Sequence, residues 1–378
     1  MIEKLTRYVS FWAFVSGIIA SLVFLSLIGW YFSAKNIFLD FHRNYRAITN
    51  ETLFFPTARQ IDALVHDRLE SQKVAVLIGG SSVMRGNGQS KDRLWSRYLQ
   101  KELGDQYQVI NLALNGGGPA GMASYVAEKL LREGGRVILV ADLSIVGGGI
   151  SPDNGIQYKS LYFDELARGY IKAYPLRDAK MIEISSLNGA DAYEELELKA
   201  SANTWLNFDE LWNFIGYRWL FTIWTPLTSE RPWAPRMLYE DNEVNCDESK
   251  VYKNFLKEEL EIMRGYSRAK PMGAEIKSLI EYSVPKNIHS NLIFAFNIYS
   301  PWYLNKLDAA DNDRYFHNFH EAQSVTERLG FHSITLEKDL NESDFCDRAH
   351  FSFTGGQKIA KNLAPKIAEV AKGLGYVQ

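Results

Sequence analysis

The stretch VAVLIGGSSVMRG, Val74 to Gly86, joins a short apolar run to a turn rich in glycine and serine. A run such as VAVLI, ended abruptly by two glycines, is typical of a buried parallel strand. Ser82 then falls in a Gly-x-Ser-x-x-x-Gly pattern with Gly80 and Gly86. Such a serine projects at the carboxyl end of the strand, where open α/β sheets bind ligands, and it becomes a nucleophile only beside a base.

Apolar strands alternate with amphipathic helices on both sides of a long middle region, which predicts a parallel α/β sheet. The Gly-x-Ser-x-Gly turn of α/β-hydrolases is absent, because Met84 occupies the position of its last glycine. The predicted strands and helices are, in order, KVAVLIGG, KDRLWSRYLQKEL, YQVINLAL, GMASYVAEKLLREG, RVILVADLSIV, NLIFAFNIYS, RYFHNFHEAQSVTERLG, FHSITLEK and TGGQKIAKNLAPKIAEVAKGLG.

The middle region, residues 151–285, is predicted to be a helical insertion. Its aromatic residues recur at steps of three and four, so they share one helix face, which either packs on the domain or forms a lid or membrane-surface element. These residues are Trp205, Phe208, Trp212, Ile215 and Trp219.

The segment Phe11 to Phe32 carries no charged residue and is long enough to cross a bilayer as a helix. Trp12 near one end and Trp30 at the other suit the two membrane interfaces. A buried core helix and a cleaved signal peptide are the alternatives, although no convincing cleavage site follows. The sequence therefore predicts a transmembrane anchor in residues 1–40 and an α/β domain in residues 41–378. Basic residues flank the segment on both sides, so charge does not decide its orientation.

Composition excludes some functions and leaves others open. The chain has 378 residues, 23% of them charged, and a net charge of −3, with no concentrated basic stripe, so nucleic acid is not an expected partner. Its two cysteines, Cys246 and Cys346, permit one disulfide or two free thiols.

A candidate base lies far along the chain, in DRAHFSFTGG. Asp347 precedes His350 by three residues, just before the last predicted helix. A histidine acting as a base needs one ring nitrogen facing the nucleophile and the other held by a carboxylate. An Asp-x-x-His turn can supply both. The alternatives are an aspartate that caps a turn and a histidine that is an ordinary loop residue.

A third stretch, VINLALNGGGPAG, ends a predicted strand at Asn115 and Gly116. Its glycines let backbone N–H groups approach a substrate closely, where they could stabilise an oxyanion. The alternative is a plain glycine-rich turn between strand and helix.

Together these stretches resemble the SGNH (GDSL-type) hydrolase superfamily. GSSVMRG is similar to its first block, NLALNGG to its second and DRAHFSFTGG to its last. The resemblance implies a three-layer, flavodoxin-like sheet and ester chemistry without a cofactor or metal. It assigns Ser82 as nucleophile, Gly116 as an oxyanion donor, His350 as base and Asp347 as the group that orients the base, with Asn115 as a further candidate in the substrate site.

Two departures from the family pattern narrow the resemblance. Ser81 replaces the aspartate that usually precedes the nucleophile, and VILVADLSIVGGG replaces the third block, so the asparagine oxyanion donor is unassigned. Asn115 and Asn154 are candidates for that role. With the anchor and the insertion, these features resemble a membrane-anchored branch that acts on cell-envelope glycans. That branch implies a single pass through the cytoplasmic membrane, an extracytoplasmic domain, an acylated glycan or other envelope polymer as substrate, and a membrane-bound acyltransferase as partner.

Other interpretations compete with ester chemistry. The glycines of Gly116-x-Gly118-x-x-Gly121, followed by Asp142, match a dinucleotide-binding fingerprint in outline. His317 and His320 have a spacing that could hold a metal on a helix face, but no cysteine or third histidine is placed to complete the site, which favours two surface histidines. A membrane-tethered partner protein that keeps the fold without the chemistry is the remaining alternative.

Overall fold

The computed structural model of the protein describes residues 11–33, 58–86, 88–89, 93–113, 122–142, 264, 284 and 286–378. The chain divides into two compact units, one of which contains the N-terminal helix and the other the sheet. Apart from Arg264 and Val284, the predicted insertion at 151–285 lies outside the described residues, and so does its aromatic helix face. Those predictions, like the limits of the predicted domains, remain predictions.

The first helix, α1, spans Phe11–Ser33. Its segment Phe11–Ile28 is long and apolar enough to cross a membrane, and none of that segment is buried within the protein. Exposed side chains such as Phe11, Trp12 and Phe24 would be costly in water but suit a hydrocarbon environment. The predicted apolar helix is thus confirmed, as a membrane anchor or a signal sequence.

A sheet of five parallel strands forms the centre of the second unit. Its strands are β1 (Val74–Gly79), β2 (Tyr107–Asn111), β3 (Val137–Asp142), β4 (Leu292–Phe296) and β5 (His332–Thr335), and they lie in the order β2-β1-β3-β4-β5. Every residue of β1, β3 and β4 is buried. Because successive side chains of a strand point to opposite faces, both faces of the sheet are covered, as in the predicted three-layer fold.

Helices connect and cover the strands. They are α2 (Ala58–Ser71), α3 (Ser82–Arg85), α4 (Trp95–Leu103), α5 (Met122–Arg132), α6 (Pro301–Leu304), α7 (Ala309–Arg328) and α8 (Phe353–Gly373), with 3₁₀ turns at Lys286–Asn291 and Glu342–Asp344. Helix α8 packs against α4, α5 packs against β1 and β3, and α7 packs against β4 and β5.

Helix α2 was not predicted from the sequence, and α7 begins earlier than predicted. In α2, Ile61, Leu64 and Val65 are buried at helical spacing, a signal that was present in the sequence. Helix α7 begins at Ala309 rather than Arg314, because Asp308 caps it by accepting a hydrogen bond from the Asp311 N–H.

The strand order decides where a site can form. Strands β1, β3 and β4 are neighbours and run in the same direction, so the residues that follow Gly79, Ala141 and Phe296 meet at one edge of the sheet. This carboxyl edge is where Ser82 lies.

Candidate active site

Ser82 is the first residue of α3, directly after the turn that ends β1. Ser81 caps this short helix, since its hydroxyl oxygen accepts a hydrogen bond from the Val83 N–H at 3.3 Å. The glycines that frame the pattern both have positive φ angles, +102° at Gly80 and +82° at Gly86. A side chain at either position would be strained, so the Gly-x-Ser-x-x-x-Gly frame has a conformational cause.

Side chains from two other elements hold the far end of α3. The Met84 carbonyl accepts hydrogen bonds from the Trp95 indole N–H at 2.8 Å and from Asn111 Nδ2 at 3.1 Å. Trp95 opens α4 and Asn111 ends β2, and both are buried. The helix that begins with Ser82 is therefore fixed to the sheet at both of its ends.

Asp347 and His350 lie in a closed loop, residues 346–350, which we call the Asp–His loop. An antiparallel bridge between Phe345 and Phe351 closes it, and inside that bridge the Cys346 N–H donates to the His350 carbonyl at 2.7 Å. Asp347 Oδ1 accepts hydrogen bonds from the N–H groups of Ala349 and His350, each at 2.8 Å. The carboxylate thus organises the backbone of the loop as well as the imidazole.

The fold brings Ser82, His350 and Asp347 together. His350 Nδ1 lies 2.6 Å from Asp347 Oδ2, and His350 Nε2 lies 2.8 Å from Ser82 Oγ. Because an ionised carboxylate can only accept, Nδ1 carries the proton, and Nε2 presents a lone pair to the serine hydroxyl. The His350 side chain is 25% exposed, and Ser82 is also partly exposed, so a substrate can approach both.

The charge on Asp347 is favoured by its partners. Burial acts to raise the pKa of the Asp347 carboxyl, but the hydrogen bonds and positive charge of His350, with the two N–H donors, outweigh it. The pKa of Asp347 therefore lies below its ordinary value. An ionised Asp347 stabilises the imidazolium that forms when His350 takes a proton.

Gln89 connects the two parts of the site and was not singled out in the sequence. Its Nε2 donates to the carbonyls of Phe351 at 3.2 Å and Ser352 at 3.0 Å, directly after the Asp–His loop. Its Oε1 accepts from the Trp95 N–H at 2.8 Å. Gln89 is 2% exposed, so these bonds form away from water and link the nucleophile region to the loop that carries His350.

Asp142 and Asn297, which end β3 and follow β4, form a second polar cluster behind the nucleophile. Asp142 Oδ1 accepts from the Ser81 N–H at 2.7 Å, and the Ser81 hydroxyl donates to Asp142 Oδ2. Asn297 Nδ2 donates to the same Oδ2 at 3.3 Å. Burial raises the pKa of Asp142 to about 6, although the hydrogen bonds from Ser81 and Asn297 act to lower it.

The first three residues of the predicted second block, Asn111 to Ala113, are described, but residues 114–117 lie outside the described residues, which resume at Met122. The roles assigned to Asn115, Gly116 and Asn154 therefore remain predictions. The sequence left open whether its cysteines are free or bonded. Cys346, which is buried and precedes Asp347, is disulfide-bonded. The sequence has one other cysteine, Cys246, also outside the described residues.

The dinucleotide-binding alternative requires an accessible carboxylate at Asp142, and the structure does not provide one. The Asp142 side chain that would bind a ribose hydroxyl is 3% exposed and is already bonded to Ser81. The glycines of that pattern lie outside the described residues.

The histidine pair on α7 is a surface feature. The His317 side chain is exposed and its Nε2 lies 3.6 Å from Glu321 Oε2, and the His320 ring stacks on Phe316. Within the described part of the chain, the residues close enough to share a metal ion are a different set, His66, Asp67 and Glu70, which lie on α2.

The strand order, with Ser82, His350 and Asp347 in hydrogen-bonding contact, defines a flavodoxin-like α/β protein that carries a Ser-His-Asp arrangement at the carboxyl edge of its sheet. This is the fold that the resemblance to SGNH hydrolases implied.

This chain is similar to solved structures of other proteins, but no protein family was matched. The chain matches no protein-family model and no curated protein. It is similar to Est24, a carbohydrate acetylesterase from Sinorhizobium meliloti, with 10% identity, a TM-score of 0.32, and 79% of this chain and 100% of that chain covered. It is also similar to an aryl esterase from M. smegmatis, with 9% identity, a TM-score of 0.32, and 78% and 99% of the two chains covered. Scores this low carry no argument about function, which rests on the geometry of the site.

Proposed function

We propose that this chain is a serine-dependent enzyme that transfers or hydrolyses acyl groups held in ester bonds. The observation that carries the proposal is the pair of contacts made by His350, 2.8 Å from Ser82 Oγ and 2.6 Å from Asp347 Oδ2. A serine hydroxyl is a weak nucleophile unless an adjacent base removes its proton, and this geometry supplies that base.

The chemistry follows from the contacts. Ser82 Oγ attacks the acyl carbonyl carbon while its proton passes to His350 Nε2, and Asp347 stabilises the resulting imidazolium. The tetrahedral intermediate collapses when His350 returns the proton to the departing alcohol oxygen, which leaves an acyl ester on Ser82. Water or a second hydroxyl then attacks that ester by the same route in reverse.

Backbone N–H groups are our candidates for stabilising the negatively charged intermediate. The first N–H groups of a helix have no partner within it, and Ser82 opens α3, so its N–H is suited to this role. Gly116 is assigned as the second donor by the resemblance in its sequence block. The proposed reaction uses no metal or organic cofactor.

We further propose that the substrate is an extracytoplasmic glycan or another polymer of the cell envelope. Two features support this: an apolar N-terminal helix of membrane-spanning length, and the resemblance to the membrane-anchored SGNH branch. In this arrangement α1 anchors the chain in the cytoplasmic membrane, the triad faces outward, and a membrane-bound acyltransferase supplies the acyl group.

A fluorophosphonate probe tests the proposed chemistry directly. The full chain, purified in detergent, is labelled and digested, and the modified peptide is identified by mass spectrometry. We expect the label on Ser82 and its loss in Ser82→Ala and His350→Ala. His317→Ala, at an exposed position on α7, is the matched control and should label normally. A label on another residue would overturn the site, and no label would favour the non-catalytic partner protein.

Two further measurements address the finer parts of the proposal. Hydrolysis of a nitrophenyl acetate with and without added oligosaccharide separates the reactions, since a transferase diverts acyl groups from water to sugar. Protease accessibility in intact cells and in opened vesicles tests orientation. Digestion of the C-terminal domain only from the cytoplasmic side would contradict the extracytoplasmic placement.

A further inference from the structure

The buried carboxylate behind the nucleophile has no step in the proposed reaction. Asp142 is 3% exposed, and both of its oxygens are turned toward Ser81, the residue before Ser82. An aspartate this deeply buried is costly to keep unless it is hydrogen-bonded. We propose that Asp142 is a positioning residue, whose carboxylate holds Ser81 and so fixes the turn that presents Ser82 Oγ to His350. This inference rests on the proposed function of Ser82.

Two hydrogen bonds join Ser81 to the Asp142 carboxylate, and we call this pair of bonds the clamp. One carboxylate oxygen accepts the Ser81 N–H at 2.7 Å, and the other accepts the Ser81 hydroxyl. A bond to the N–H alone would leave the hydroxyl free to rotate, and a bond to the hydroxyl alone would leave the backbone free. Two parallel bonds to a charged acceptor fix both, and bonds of this kind are stronger than those between neutral groups.

The clamp also sets the direction of the helix cap. Because the Ser81 hydroxyl donates its hydrogen bond to Asp142, the lone pairs of its oxygen are left for the Val83 N–H. The hydrogen bonds therefore run from the Val83 N–H to the Ser81 hydroxyl and on to Asp142, and Ser82 is the residue between Ser81 and Val83 in the sequence. Any loosening at Asp142 reaches the backbone of Ser82 directly.

Gly80 shows how closely the carboxylate approaches the turn. A Cβ atom at Gly80 would lie 1.8 Å from Asp142 Oδ1 and 2.9 Å from the Asp142 nitrogen. The turn thus requires glycine for its positive φ angle and also to admit the carboxylate. The first glycine of the pattern in the sequence is therefore part of the Asp142 contact.

The position of Asp142 at the end of β3 also fits the two departures from the SGNH pattern. Serine stands at position 81, where the family usually has aspartate, and the third block is replaced by a strand ending in Asp142. In this chain the carboxylate reaches position 81 from the neighbouring strand β3, and Asn297, after β4, completes its hydrogen bonds.

The test compares Ser82 reactivity in Asp142→Ala, Asp142→Asn and Ser81→Ala with the full wild-type chain in detergent. Two readouts are taken, the second-order rate of fluorophosphonate labelling at Ser82, and kcat and KM for a nitrophenyl ester. We expect Asp142→Ala and Ser81→Ala each to lower kcat and the labelling rate by about 10- to 100-fold, with KM changed less than about 2-fold.

The double variant and the conservative variant separate positioning from general damage. Since Asp142→Ala already removes both bonds of the clamp, the Ser81→Ala/Asp142→Ala pair should lose no more activity than Asp142→Ala alone. Asp142→Asn should recover part of the loss, because its amide oxygen still accepts the Ser81 N–H. Asp311→Asn, at another buried aspartate, on α7, is the control and should react like wild type.

Each outcome decides something. Wild-type labelling at Ser82 with slowed variants and a non-additive pair supports the clamp. Wild-type labelling with unchanged rates in Ser81→Ala and Asp142→Asn, or with additive losses, overturns the clamp and leaves the proposed function standing. A wild type that does not label overturns the proposed function itself, and the positioning role with it.

Discussion

Replacing Asp142 with asparagine should change how the stability of this protein depends on pH. Burial raises the pKa of the Asp142 carboxyl from its ordinary 3.8 to about 6 in the folded chain. Between those values the folded state binds more protons than the unfolded state, so the free energy of unfolding falls as pH rises. The groups that face Asp142 in the described structure, Ser81 and Asn297, are neutral, so no neighbouring charge reverses that sign.

The size of the effect can be worked out from the shift. One pKa unit corresponds to about 1.4 kcal/mol, so the full shift is worth about 3 kcal/mol. About 1.4 kcal/mol of this stabilisation is lost between about pH 5 and about pH 8. The rest is lost below about pH 5, where the carboxyl ionises in the unfolded chain but stays mostly protonated in the folded one. Asparagine has the same shape and cannot titrate. The stability of wild type relative to Asp142→Asn should therefore fall by about 1.4 kcal/mol over this range.

Denaturant unfolding of the full chain in detergent, followed by tryptophan fluorescence, measures this difference at each pH. The opposite pH dependence expected from the lowered pKa of Asp347 is common to both proteins and cancels. Ser81→Ala provides a second test, because it removes a hydrogen bond that lowers the pKa of Asp142. The pKa of Asp142 in this variant should be higher, so the variant should lose stability at a higher pH than wild type does. A wild-type-to-variant difference that stays constant within about 0.5 kcal/mol would refute the assignment of Asp142 as a buried group that titrates near pH 6.

Three further changes test how the site is held. Asp347→Asn should lower kcat for a nitrophenyl ester by about 10²- to 10⁴-fold, since it no longer selects the productive imidazole tautomer; equal kcat would remove Asp347 from the triad. Gln89→Ala should lower the free energy of unfolding by about 2–4 kcal/mol, measured by denaturant unfolding, because it leaves the Phe351 carbonyl and the Trp95 N–H without a partner. Gly80→Ala should destabilise the chain by more than about 2 kcal/mol through its clash with Asp142. Gly104→Ala, with φ at +75° and no atom within 4 Å of the added Cβ, is its control, and equal losses at both glycines would mean that φ strain alone explains the effect.

The elements that the sequence predicted well are those with a strong local pattern. Strand β1 is a continuous apolar run ended by two glycines, and it runs from Val74 to Gly79 as expected. The ends of elements were harder to predict, because a cap depends on one side chain. Helix α7 begins at Ala309 because Asp308 caps it, whereas its apolar periodicity becomes clear only near Arg314.

The three residues of the proposed triad were predictable from the sequence, and the residues that support them were not. Ser82, Asp347 and His350 each lie in a short stretch with a recognisable pattern. Asp142 is hydrogen-bonded to Ser81, which lies 61 positions away in the sequence. Gln89 is hydrogen-bonded to Phe351 and Ser352, which lie more than 260 positions away. A local pattern carries no information about such distances, which only the packing of strands and helices fixes. Burial then reveals these residues, since a polar side chain that is nearly inaccessible requires partners.

Two adjacent serines at one turn have been given different roles by the strands around them. The Ser81 hydroxyl is held by a buried carboxylate on one side and by the Val83 N–H on the other, so its donor is committed and its oxygen accepts as a helix cap. The Ser82 hydroxyl faces an imidazole that can accept its proton and return it, at a position open to solvent. Both hydroxyls are directed toward a carboxylate, but only that of Ser82 reaches it through an imidazole, whose ring nitrogens can accept and donate a proton. Attack on an acyl group should therefore come from Ser82, while Ser81 keeps that nucleophile in place.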